Sequence, residues 1–176
     1  MPTNKYANPK NFLRTISQIE SSGGKDTTHP EMESGIQAGT SAIGRYGLMP
    51  NTVKEIINNR RQNGAMTQPL QDLDGMNPHE MKEYIEANPD VEDELANTLA
   101  MKVLKNQMGD EDKAAYSWEQ GDNLKPEDIS TEKLNNTNSI GGKYVEKFRR
   151  IKQQMNQQPP EEDQTQDDGS DNEQQP

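Results

Sequence analysis

One carboxylate stands out by its position. Glu20 falls near the end of the stretch 8–24, NPKNFLRTISQIESSGG, in which Phe12, Leu13, Ile16 and Ile19 recur at helical spacing. It lies four residues after Ile16 and eight after Phe12, which places it on the apolar stripe. Burial raises a carboxyl pKa, and the negative end of the helix dipole adds to the effect. A carboxylic acid that keeps its proton near neutral pH can act as a general acid. On this stretch alone, an ordinary solvated Glu at a fraying helix end is the plainer reading.

Other groups could join it. Asp26, Glu31 and Glu33 follow in the next loop, either as a second carboxylate that activates water or as solvated loop charges. His29 is a candidate ligand contact or a loop-ordering group, and His79 falls in the first turn of a helix. No cluster of metal-ligand type surrounds either histidine, so neither a metal nor another cofactor is expected. Tyr46 and Trp118 have faces that could stack on a ligand's rings, though a lone Trp in a small α domain reads first as core, as Trp118 does here.

These residues need elements to hold them. Asn8 is a good N-cap, Pro9 suits the first helical position, and Gly23-Gly24 suit a helix stop. From Lys25 to Tyr46 the chain lacks helical periodicity and reads as a long loop, with a small hairpin around Gly35–Gly47. Thr52 and Glu55 form a capping-box pattern opening a helix to about Arg61. Asn77-Pro78 and Asn88-Pro89 start helices near 78–87 and 89–108, the second ended by Gly109. Helices are also expected over 111–119 and about 140–155, the latter with Ile140, Tyr144, Val145, Phe148 and Ile151 on one side. Strand signals are few, so the fold should be mainly α.

Composition narrows the function classes. The 176 residues suit one domain with an appendage, and only 28% are hydrophobic. Seven acids and eight Gln fall within residues 153–176, leaving a formal charge of −4 of the total −11 for residues 1–152. The expected organisation is an extension over 1–8, a domain over 9–155 and a disordered acidic, Gln-rich tail over 156–176. This acid balance argues against nucleic acid as a partner. Without cysteine there are no disulfides. No apolar run approaches the ~18 residues of a membrane span, and the first ten residues lack the apolar core of a secretory signal.

Three pieces in order carry a resemblance. Glu20-Ser21 after an apolar helix, then Gly47-Leu48-Met49, then Ala115-Tyr116 resemble the motif series of lytic transglycosylases, in the lysozyme-like superfamily with the goose-type lysozymes. The run from Ala42 to Thr52, AIGRYGLMPNT, is most similar to the form found in phage virion-associated transglycosylases. The match covers roughly residues 9–121. The resemblance implies a lysozyme-like domain in which Glu20 is the sole catalytic acid/base and Ser21 positions substrate or the carboxyl. It implies that Gly47, Leu48 and Met49 form the turn beside the glutamate, where a side chain at Gly47 would crowd the site. It further implies that Tyr116 points its hydroxyl at Glu20 and holds it. Ser117 and Pro50 depart from the Asn and Gln common at those positions, which puts subsite contacts in doubt.

The implied substrate is peptidoglycan, cleaved between N-acetylmuramic acid and N-acetylglucosamine. Goose-lysozyme-like hydrolysis, or a structural virion component that kept the fold, are the alternatives. A virion-carried enzyme acting at the host periplasm and wall, among other virion proteins, would need no export signal of its own. A release enzyme acting after membrane permeabilisation is the competing route.

Overall fold

The computed structural model describes residues 8–33 and 39–158. They form helices α1 (Pro9–Ser21), α2 (Pro50–Gln62), α3 (Gln68–Leu73), α4 (Pro78–Ala87), α5 (Pro89–Asn106), α6 (Glu111–Gln120), α7 (Thr131–Asn135) and α8 (Ile140–Gln157). A single 3₁₀ turn spans Pro126–Asp128. The expected mainly helical class is observed, and the described residues contain no strand beyond isolated bridges. None of their helices is long and apolar enough to cross a membrane.

The first helix begins as its sequence dictates. Asn8 accepts the Lys10 N–H at 3.0 Å through its side chain, and Pro9 opens the helix. Phe12 and Ile16 are completely buried, and α1 packs against both α5 and α8. Phe12 meets Phe148 of α8 at 5.5 Å between ring centroids and the edge of Trp118 of α6 at 6.0 Å. Trp118 is thus partly buried against the core. Leu95, Leu99 and Val103 of α5 complete this centre. A smaller cluster of Ile129, Leu134 and Val145, with Tyr116 and Leu124 against it, ties α6 and α7 to α8.

Several boundaries differ from expectation. The Thr52 capping box is not used: Pro50 starts α2 two residues earlier behind Met49, because its fixed φ already suits the first turn. Asn77 and Glu80 do form a capping box, at 2.9 and 3.0 Å. Asn88 instead donates its amide to the Tyr84 carbonyl at 2.7 Å, closing α4 rather than capping α5. Residues 156 and 157, read as tail, continue α8. The tail from residue 159, the residues before Asn8 and part of the expected hairpin lie outside the described residues.

Because Phe12 is completely buried and meets rings of two other helices, Phe12→Ala should cost about 3–5 kcal/mol. Thermal unfolding should then show a Tm lower by roughly 10 °C. A loss below about 1 kcal/mol would place the centre of the core elsewhere.

Candidate active site

The end of α1 is shaped by its stop signal. Ser22 takes a left-handed conformation (φ 53°), and the Gly23 N–H reaches back to the Ser17 carbonyl at 3.0 Å. The chain therefore leaves the helix sharply after Glu20, whose side chain stays with the buried stripe and is half-buried. From α8, the Tyr144 hydroxyl donates to Glu20 Oε1 at 2.7 Å. Lys147, also on α8, donates to the Ile19 carbonyl at 3.3 Å, at the negative end of α1.

The opposite side of the carboxyl is closed by backbone. Ile43 and Leu48 exchange two hydrogen bonds of 2.8 and 3.0 Å, folding 43–48 into a tight loop. Gly47 in this loop has φ +64°, and a Cβ there would lie 2.5 Å from Glu20 Oε2. Only glycine permits both that conformation and that approach. Its expected place beside the glutamate is therefore observed.

Burial is the largest influence on Glu20 and raises its pKa. The Tyr144 hydrogen bond and the charges of His29 and Lys147 draw it back, without cancelling the rise. Glu20 in turn acts on a second carboxyl. Glu119, near the end of α6, is open to solvent at its surface, yet crowding by protein around its carboxyl and the charge of Glu20 push its pKa up to about 7. Burial, then the two carboxylates, raise the Tyr144 phenol well above its ordinary value.

The other expected site residues fall differently. Tyr116 does not hold Glu20: its ring packs in the smaller cluster with Ile129, Leu134 and Val145, and Tyr144 supplies the hydroxyl. The ring is close enough that a Cβ on Gly141 would lie 2.4 Å from it. Leu48 is a buried core residue and Met49 is the half-buried cap of α2, so neither is an open contact surface. Ser21 is buried; its hydroxyl donates to the Arg45 carbonyl at 2.7 Å, with Ser17 O as alternative acceptor at 3.0 Å, and accepts the Gly24 N–H at 2.8 Å. It positions the loop rather than a ligand. His29 Nε2 donates to the Gly44 carbonyl at 2.7 Å, the loop-ordering alternative, while its charge reaches Glu20.

Tyr46 is also withdrawn from stacking. It is 9% exposed, its hydroxyl donates to Asp93 at 3.1 Å, and the Arg45 guanidinium covers its ring at 4.8 Å. Burial, with Asp93 next, pushes its pKa up to about 12. The groove of about 680 Å³ that Tyr46 and Arg45 border is lined by α1 residues such as Arg14 and does not include Glu20. Of the loop carboxylates, Asp26 accepts the Thr28 N–H at 3.0 Å and Glu31 pairs through its backbone with Ser41, while Glu33 is exposed. The carboxyl that Glu20 does act on is Glu119 of α6, outside this loop.

No family model, curated protein or solved structure matches this chain.

A carboxyl with a raised folded-state value gives its full contribution below its unfolded value, and that contribution disappears as pH rises through the folded one. For Glu119 the window runs from its ordinary 4.5 up to about 7. Glu119→Gln cannot ionise, so its Tm should match wild type near the lower limit and exceed it at about pH 8. Thermal unfolding of both proteins across this range is the check, and an unchanged difference would remove Glu119 from the pair.

Proposed function

We propose that this chain is a lytic transglycosylase with a lysozyme-like domain, cleaving the bond between N-acetylmuramic acid and N-acetylglucosamine in peptidoglycan, with Glu20 as acid and then base. The observation that carries this reading is the carboxyl itself. It is desolvated at a helix end, held by one phenol and closed on its far side by a glycine backbone. The motif order of Glu20-Ser21 before Gly47-Leu48-Met49 supports the family.

In this cycle Glu20 gives its proton to the glycosidic oxygen as the C1–O bond breaks and the leaving sugar departs as an alcohol. The substrate's own N-acetyl oxygen can relieve the positive charge at C1. The ionised Glu20 then takes the proton of the muramoyl C6 hydroxyl as that oxygen bonds to C1. A 1,6-anhydro ring closes, no water is consumed, and Glu20 regains its proton. The Tyr144 hydrogen bond favours the ionised intermediate form, and burial favours the protonated starting form. We further propose that the enzyme travels in a phage particle and opens the wall locally during genome delivery. The glycan strand and neighbouring virion proteins are then its partners.

Glu119 favours a second reading, hydrolysis. Once ionised, it could activate a water beside the same bond. Because Glu119 keeps its proton to about pH 7, that route opens only above it.

Glu20→Gln should lower clearing of purified peptidoglycan by at least about 10²-fold. Equal clearing by both proteins removes Glu20 from the mechanism, and no clearing by either favours a structural role. Mass spectrometry of the released fragments separates anhydro ends from reducing ends, which differ by one water.

Tyr144→Phe should slow clearing by roughly 10-fold, about the value of one hydrogen bond to a charged group. It should also move the alkaline limb of the pH–rate profile upward, because the lost hydrogen bond favoured the carboxylate. Tyr116→Phe should leave both rate and profile near wild type. The reverse result would restore Tyr116 as the holding phenol.

A further inference from the structure

The loop that closes over Glu20 is held from its other side by a second buried carboxylate. Glu92, near the start of α5, is 5% exposed, and its Oε1 accepts the Tyr46 N–H at 3.1 Å. A Cβ on Gly44 would lie 2.3 Å from the same oxygen, and Gly44 has φ +66°. The two glycines of the loop therefore each rest on a carboxylate, Gly44 on Glu92 and Gly47 on Glu20. Asp93 completes the grip by pairing with the Arg45 guanidinium and accepting the Tyr46 hydroxyl at 3.1 Å. With Ile43 and Leu48 cross-bonded, fixing the middle of the loop fixes Gly47 as well.

We propose that Glu92, with Asp93 beside it, is a positioning residue that holds the 43–48 loop so that the Gly47 backbone seals the Glu20 carboxyl. An apolar residue would serve the α5 core better, since Glu92 lies on its buried face with Leu95, Ala96 and Leu99. What the carboxylate supplies is an acceptor for backbone N–H groups of a loop that has no regular partner strand. Released from this grip, Gly47 retreats from Glu20 and water enters beside Oε2. The inference rests on Glu20 being the acid/base, but the grip itself can be measured without activity.

The test follows the Glu20 carboxyl by isotope-edited NMR titration in the full chain, beside peptidoglycan clearing and thermal unfolding. Glu92→Gln keeps the volume but turns an amide N–H₂ toward the loop's N–H donors. Asp93→Asn weakens the same grip from a solvent-exposed position. The groups facing Glu20 (Tyr144 and Lys147 on α8, His29 from its loop, Glu119 on α6) are unchanged in both variants. Glu92→Gln should lower the Glu20 midpoint by about half a pH unit or more, since hydration favours the charged form. Clearing should fall about 10-fold or more. Asp93→Asn should shift both in the same direction by less.

A folded Glu92→Gln protein with an unchanged Glu20 midpoint overturns the proposal, whatever its Tm. If Glu92→Gln does not fold, Asp93→Asn decides alone, and an unmoved midpoint again overturns it. If wild type clears no peptidoglycan, the transglycosylase reading falls, while the midpoint comparison still decides the grip.

Discussion

A carboxyl in the last turn of a helix meets two penalties together, loss of water and the negative end of the backbone dipole. Glu20 bears both because α1 has no better orientation. Turning the helix to free Glu20 would lift Phe12 and Ile16, both fully buried, out of the core. The apolar stripe therefore imposes the position of the carboxyl, and the surroundings make it tolerable. Tyr144 gives it a hydrogen bond, and Lys147 meets the Ile19 carbonyl beside it. Both come from α8, which is locked to α1 through Phe148 against Phe12. Core packing and site geometry are thus one arrangement.

The loop over Glu20 shows the same economy. A segment without a partner strand must satisfy its backbone groups by other means. Here the Gly44 and Arg45 carbonyls go to His29 and Ser21, and the Tyr46 N–H goes to Glu92. Side chains from three parts of the chain therefore replace a sheet. Loops held in this way are placed as rigidly as the elements that hold them, which a proton-transfer site requires. It also explains why Ser21, a substrate contact by motif, and His29, read as a contact or a loop-ordering group, are engaged with backbone.

How much of this was legible in the sequence depended on range. The place of Gly47 came from the resemblance, while local signals read well: the Asn8 and Asn77 caps, the stripes of α1 and α5, and the Val145 and Phe148 part of the α8 stripe, whose expected first member Ile140 is instead 69% exposed at the helix start. Two kinds of feature did not. Short helices such as α3 and α7 carry too few turns for periodicity to show. The choice between Tyr116 and Tyr144 is tertiary. Both sit on amphipathic helices, and only the packing of α6 against α8 turns one ring into the smaller cluster and the other toward Glu20. Glu92 was legible in principle. It shares a face with Leu95, Ala96 and Leu99, the same breach of an apolar stripe that singles out Glu20, but an acid in the first turns of a helix has a sufficient explanation in the dipole. Glu119 had no such signal, because its role depends on a residue about a hundred positions away.

The relation between Glu20 and Glu119 bears on how many charges the site can hold. Burial first, and then the charge of Glu20, raise the Glu119 pKa to about 7, so an ionised Glu20 favours a protonated Glu119. Below that value Glu119 is neutral and can draw no proton from water. Glu20 can then cycle between acid and carboxylate without a second negative charge beside it. Under the proposed transglycosylase reading, that would let a single group serve both halves of the reaction, whereas hydrolysis would need a separate ionised base or nucleophile. In the proposed reaction, the residue that would make hydrolysis chemically conceivable above neutrality would also leave the one-carboxylate route undisturbed below it, and the protonation of Glu119 would set the balance between the two.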